Sequence, residues 1–417
     1  MSNTDQRSPT SGTDHINTLP NECLAEIFAH AGTPVPQHNH PYRVIILGSV
    51  CSRWRAVTLD WPALWSKIYI PVNVVVKGSA INRPRYERSA EDERWTSKLR
   101  DAVELYLTRS KTCAISVHLV KSQKGPQLSA HWELSLENLA GLFHEHMYRC
   151  YELHVLENTP RVHSLLSDPD LKMPLLKSLT LPKVLDLPFI RSATKLQMIR
   201  TESIEPGIKD FATVKSVELA THKPRECLLH FPKVKMVTLL AQAVHLPVTG
   251  RVVRSNFVSS LTVVATWDTI ATIQEMLCKV EFPNLKSLKL VHLDCPGPPL
   301  HSSCIRRPLV GTLSLNQLVF QGFAIRSQDL LDILGMAPRL TSLSINDSSY
   351  PLVGPYRPIS SALLVALADP KIVPDLERLQ LYWRHDVDID GSLVARLLET
   401  RGNRLADVVI PKRRATV

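Results

Sequence analysis

"FPNLKSLKL", residues 282–290, places leucines at 285, 288 and 290, with a proline two residues ahead of the first. The pattern recurs in "MPLLKSLTL" (173–181), "FATVKSVEL" (211–219), "FPKVKMVTL" (231–239), "APRLTSLSI" (337–345) and "VPDLERLQL" (373–381). Counted from the fourth residue of each, an apolar side chain returns at relative positions 0, 3 and 5. Weaker copies are "CYELHV", "LQMIRT", "LTVVAT" and "LNQLVF". Alternation of apolar and polar residues is the period of a strand with one buried face. Pro174, Pro232, Pro283, Pro338 and Pro374 precede the first apolar position. They are expected to end the preceding segment and open a strand without costing a ladder hydrogen bond.

With the weaker copies included, the spacing runs from 18 to 36 residues. L-x-x-L-x-L at such intervals resembles the signature of leucine-rich repeats. The resemblance implies an α/β solenoid with one parallel strand per turn and a curved parallel sheet. Unrelated leucine-rich strands in an ordinary α/β domain are the other reading of the same pattern. In the solenoid, positions 2, 4 and 6 point outward. They include Ser216, Glu218, Met236, Thr238, Ser287, Gln317, Val319, Ser342 and Ser344, together with Lys289, Arg378, Gln380 and Tyr382 as candidate target contacts. This mixed surface suits protein recognition better than phosphate tracking.

The N-terminal part has another pattern. "INTLPNECLAEIFAHAG" reads as a short helix with Pro20 in its first turn, Leu24, Ile27 and Phe28 on one face, and Gly32 at its end. "TPVPQHNHPY" (33–42) is a connecting loop. A second helix is expected from about Val44 to Leu59, with Leu47, Val50, Trp54 and Val57 along one stripe, and "DWPALW" adds a short third turn. Three of the chain's seven tryptophans, Trp54, Trp61 and Trp65, fall in this unit. So small a unit cannot easily hide that much apolar surface by itself. Either the surplus packs on the rest of the chain or it docks another protein.

"LPNECLAEIF" and "VCSRWRAVTLDWPALWSKI" resemble an F-box, whose pattern is L-P-x-E-x-L-x-x-I-F, a variable loop, V-C-x-x-W-R and P-x-L-W. The wording is closest to the large F-box families of fungi. The resemblance implies a three-helix module that docks a Skp1-type adaptor and so joins a cullin-RING ubiquitin ligase. By position, Leu19, Pro20, Glu22, Leu24, Ile27, Phe28, Val50 and Trp54 form the implied adaptor-binding set, facing the adaptor or supporting the interface. Trp61, Leu64 and Trp65 would fasten the module to the adjoining C-terminal part of the chain. The implied role is recognition of a protein substrate, with no catalytic residue of its own. A protein-interaction scaffold with leucine-rich repeats, outside any ligase, is the alternative.

The expected organisation is a disordered tail (1–14), the F-box (15–70), a connector and linking helix (71–110), the repeat domain (111–410) and a basic tail (411–417). The linking helix has Trp95, Leu99, Ala102 and Tyr106 on one face. The chain has 417 residues and a formal charge of +10, without one dominant basic stripe. No apolar run approaches the ~18 residues that span a bilayer. The opening residues lack a signal-peptide core, and the eight cysteines show no C-x-x-C pair, so a cytoplasmic or nuclear setting is expected. Phosphate-binding and G-x-S-x-G motifs are absent and no cofactor is expected. "HNH" (38–40) lies in the Pro-rich loop, and "HEH" (144–146) places its histidines on diverging sides of a helix. His292, Cys295, His301 and Cys304 are zinc-competent in type, but their spacing matches no zinc motif, and loop or core roles are expected.

Overall fold

The computed structural model describes residues 15–31, 43–72, 90–121, 139, 141–155, 160–205, 208, 211–220, 227–240, 252–266, 268–293, 299–309, 311–312, 314–347, 357–383, 389–402 and 404–409. Both expected tails, the loop at 33–42, the connector from 73 to 89 and Cys295 lie outside these residues. The chain divides into two compact units, Met1–Ser178 with Leu187–Thr194, and Leu179–Asp186 with Lys195–Val417.

The first unit opens with α1 (Asn21–Ala31), α2 (Arg43–Val50), α3 (Ser52–Asp60) and a 3-10 turn, Pro62–Trp65. Next come strand β1 (Lys67–Val72), helix α4 (Ala90–Arg109), β2 (Ile115–Lys121) and β3 (Cys150–Val155), then α5 (Pro160–Leu166) and α6 (Pro188–Ser192). β1, β2 and β3 run parallel, with Tyr69 opposite His118 and His118 opposite His154. β1 spans residue 70, the end expected for the F-box. Helix α4 buries Leu99, Val103, Tyr106 and Leu107, while Ala102 is half-buried. Its last turn and the turn that follows are held by Arg149, 2 % exposed, which donates to Leu107 O (2.8 Å), Lys111 O (2.6 Å), Cys113 O (3.0 Å) and Ser110 Oγ (2.9 Å).

The second unit contains β4 (Ser178–Val184), β5 (Met198–Ile204), β6 (Ser216–Leu219), β7 (Met236–Leu240), β8 (Val253–Arg254), β9 (Ser260–Ala265), β10 (Val280–Glu281), β11 (Ser287–His292), β12 (Gln317–Gln321), β13 (Ser342–Asn346), β14 (Arg378–Tyr382) and β15 (Asp407–Val409). Its main sheet keeps the order β4-β5-β6-β7-β9-β11-β12-β13-β14-β15, while β8 and β10 pair separately. The register pairs given for this sheet are parallel, and it is a large, open parallel sheet. Helices α7 (Ile270–Leu277), α8 (Ser302–Arg306), α9 (Ser327–Gly335), α10 (Ser361–Ala368) and α11 (Gly391–Arg401) lie on the connections between later strands. Register partners Met198 and Ser216 are 18 residues apart, and Ser342 and Arg378 are 36 apart.

The six strong copies all contribute a strand, and so do the weaker ones. Relative positions 0, 3 and 5 are buried throughout, as with Leu285, Leu288 and Leu290, each at 0 % exposure. The prolines act differently from expectation. Leu285 N donates to Phe282 O (3.0 Å), Leu340 N to Ala337 O (3.1 Å) and Leu376 N to Val373 O (3.2 Å). Each proline thus occupies the second position of a four-residue turn, where its fixed φ fits. The strands begin only at Ser287, Ser342 and Arg378. The turn also buries the residue that opens it, including Phe211, Phe231 and Phe282, and the rings of Phe211 and Phe231 stack at 5.2 Å. Among the described residues, no helix is long and apolar enough to cross a membrane.

Candidate adaptor-docking surface

The helical module is held from inside by few residues. Leu24, Ala25 and Phe28 of α1 are at most 1 % exposed, and Val44, Val57, Leu64 and Trp65 are also buried. Phe28 meets Trp54 with ring centroids 4.7 Å apart. The indole Nε1 of Trp65 donates to Thr58 O (2.6 Å), and its ring stands edge-on to Tyr106 of α4 at 5.0 Å. Trp65 therefore ties the module to α4.

The continuous helix expected from Val44 to Leu59 is broken. Cys51, at φ −154° and ψ 171°, is extended and caps α3, its Sγ accepting from Trp54 N (3.4 Å). The break turns the two halves against each other. A Cβ on Gly48 would lie 2.9 Å from Thr58 Oγ1, so glycine permits the close approach of α2 to α3. Arg55 Nε donates to Gly48 O (3.1 Å), and Arg53 bonds Asn21 Oδ1 (3.1 and 3.2 Å) and Leu19 O, joining α3 to the entry of α1. Valine at position 48 is expected to destabilise this packing by about 1–3 kcal/mol. Faster hydrogen exchange of the 43–60 amides in Gly48→Val than in wild type is the readout, and unchanged protection would contradict the assignment.

The break also redistributes the expected surface. Leu24 and Phe28 are core residues and can support an interface only from beneath. Ile27, expected on the same face, is 42 % exposed, because the third buried position of α1 is Ala25. The expected Leu47–Val57 stripe does not persist: Val57 is buried, Leu47 and Trp54 are half-buried, and Val50 is 59 % exposed. Pro20 and Glu22 are exposed and Leu19 is half-buried. Three further aliphatic residues, Ile16, Ile45 and Ile46, are exposed at 40, 38 and 54 %. The sequence signal for two of them was "VII" at 44–46, more apolar residues than one helix face can bury. Ile46 and Val50, four residues apart on α2, share a face.

An F-box-like family model matches residues 16–71. F-box domains typically bind Skp1-type adaptors. No curated protein matches the chain. The F-box-like domain thus carries several exposed aliphatic side chains over a completed core.

Of the other sequence candidates, Lys289 and Arg378 are exposed, and Gln380 and Tyr382 are half-buried. Lys289 and Gln380 share one row across the sheet, through Val319 and Ser344, about 14 Å apart at three strand spacings. Arg378 and Tyr382 fall on the rows to either side. His292 is buried against Phe323 (5.5 Å, edge-on), His301 is exposed, and the Cys304 thiol is pushed up to about 11 by burial and by neighbouring Cys278. Among the described residues, no three histidine, cysteine or acidic side chains are grouped to hold a metal.

A serine–histidine–glutamate cluster on β2 and β3 was not foreseen. Ser116 Oγ donates to Glu152 Oε2 (2.6 Å) and lies 2.6 Å from His118 Nε2, while His118 stacks on Tyr69 at 4.6 Å. The hydroxyl proton is committed to the carboxylate, so Nε2 must donate to the hydroxyl. A serine nucleophile needs the reverse, with the carboxylate on the far ring nitrogen. Burial pushes the His118 imidazole down to about 4 against the opposing pull of Glu152, with His154 and Lys67 lowering it further.

Proposed function

We propose that the chain is the substrate-recognition subunit of an SCF-type cullin-RING E3 ubiquitin ligase. The F-box-like domain docks the Skp1-type adaptor, and the parallel sheet, read as an irregular leucine-rich-repeat solenoid, binds the target protein. The observation that carries the docking half is the exposed set Ile27, Ile46 and Val50 on a domain whose core is already filled. So many exposed aliphatic side chains on so small a unit favour a partner surface. The solenoid reading is supported by one strand per copy, consecutive copies lying adjacent in the sheet, and irregular 18–36-residue spacing.

In this reading the chain supplies no catalytic residue. It holds the target near a ubiquitin-charged enzyme and raises the local concentration of the reacting groups. The cytosol or nucleus is the proposed setting.

The first test is titration of purified adaptor against the chain and its Leu19→Ala, Pro20→Ala variant, with folding checked by circular dichroism. Binding by wild type and at least about tenfold weaker binding by the variant is expected. No binding by folded wild type would end the docking assignment. Ubiquitylation of a bound target in a reconstituted ligase separates a recognition subunit from a scaffold that only binds.

A further inference from the structure

In the second unit, the residues entering β5, β6, β7, β9 and β11 form aligned rows. Lys215, Lys235 and Lys286 each stand one residue before a strand, and backbone hydrogen bonds link that row. Lys235 N donates to Lys215 O (2.9 Å), Ser259 N to Lys235 O (2.8 Å) and Lys286 N to Ser259 O (2.8 Å). Adjacent strands lie ~4.8 Å apart, so Lys215 and Lys235 are about 5 Å apart at the backbone and Lys286 about 10 Å further. Lys195 and Lys233 sit two residues before this row, and Lys289 sits further along β11; all six are exposed. Residues 195–198, 213–216, 233–236, 257–260 and 284–287 contain no Asp or Glu.

Elsewhere in this unit some exposed cations are neutralised locally: Arg200 by Glu218 (3.2 Å), Arg306 by Asp332 (2.8 Å) and Arg307 by Glu281 (2.8 Å). The six lysines have no ion pair among the described residues. Like charges aligned at one strand spacing repel, and a single interleaved carboxylate would relieve them. Beside the row, Met236 is 49 % and Phe257 56 % exposed.

We propose that this strip binds an acidic, extended peptide segment of a partner protein, with an apolar side chain seated on Met236 and Phe257. The proposal rests on the sheet being a target-binding surface and is independent of adaptor docking. Five strands span about 19 Å, the reach of roughly six extended residues. Lysine ammonium groups accept carboxylates from many directions and suit a sequence-tolerant acidic segment. A single-stranded nucleic acid fits less well, since Phe257 is the only aromatic residue at these positions and successive bases need successive stacking partners.

The test uses the full chain and a fluorescent peptide of aspartate and glutamate with one central phenylalanine, read by anisotropy. Lys215→Glu, Lys235→Glu, Lys286→Glu is expected to weaken binding at least about tenfold, whereas the control Lys98→Glu, Lys371→Glu, Arg404→Glu stays within about twofold. Met236→Ser, Phe257→Ser is expected to weaken this peptide and leave an all-acidic peptide unchanged. Absence of peptide binding by wild type, equal loss in both charge variants, or tighter binding of a single-stranded oligonucleotide at the same lysines would overturn the proposal. Adaptor binding measured on the same variants is expected to be unchanged, which separates failure here from failure of docking.

Discussion

Arg401→Met is expected to destabilise the second unit by about 3–5 kcal/mol, read by chemical denaturation. Arg401 is 1 % exposed, and its guanidinium gathers carbonyls rather than a carboxylate. Nη1 donates to Val373 O (2.9 Å), and Nη2 reaches Asp369 O and Ile372 O. Without it, these carbonyls lose a common donor in a place water reaches poorly, at about 1–3 kcal/mol each before relaxation. The turn they belong to is itself strained, since Val373 has φ 48°, a left-handed conformation that a β-branched residue resists. Arg404→Met, at an exposed position, is the control and should change stability little. Equal effects of the two methionine variants would mean that Arg401 does not hold the turn.

The largest expected effect on binding comes from Ile46→Asp with Val50→Asp. At 54 and 59 % exposure, both side chains can be replaced without opening the core of the F-box-like domain. In the proposed interface, two aliphatics each contributing about 1.5–2 kcal/mol correspond to at least about a hundredfold loss of adaptor affinity. The unfolding midpoint is expected to stay near wild type. Phe28→Ala supplies the contrast. Its side chain is 1 % exposed, and its removal should lower stability by about 3–5 kcal/mol and reduce adaptor binding only through unfolding. Undiminished binding by the double aspartate variant would move the docking surface off α2.

The parallel strands were legible because Leu288 and Leu290, or Leu343 and Ile345, repeat a two-residue alternation behind a fixed leucine. Phe211, Phe231 and Phe282 stand within the same stretches, yet their place in the core was missed. They open a turn, where neither the strand nor the helix period applies. The break at Cys51 was hidden for a related reason. Apolar residues keep helical spacing across it, and cysteine is not among the usual N-cap residues. Strands β8 and β10, two residues each, are too short to carry any period. On the F-box-like domain, the motif positions mark residues without telling which point inward. Leu24 and Ile27 match the motif equally well, and only packing separates a core side chain from a surface one.

The strand order of the second unit has an evolutionary corollary. After β9, each next strand of the main sheet joins beside its predecessor, and the connections already differ from one copy to another. Duplicating a strand with its connection would therefore lengthen the sheet by one place while keeping the order of all the others. A fold with this grammar can acquire new recognition surface by copying a paragraph of its own sequence, leaving the rest of the text intact.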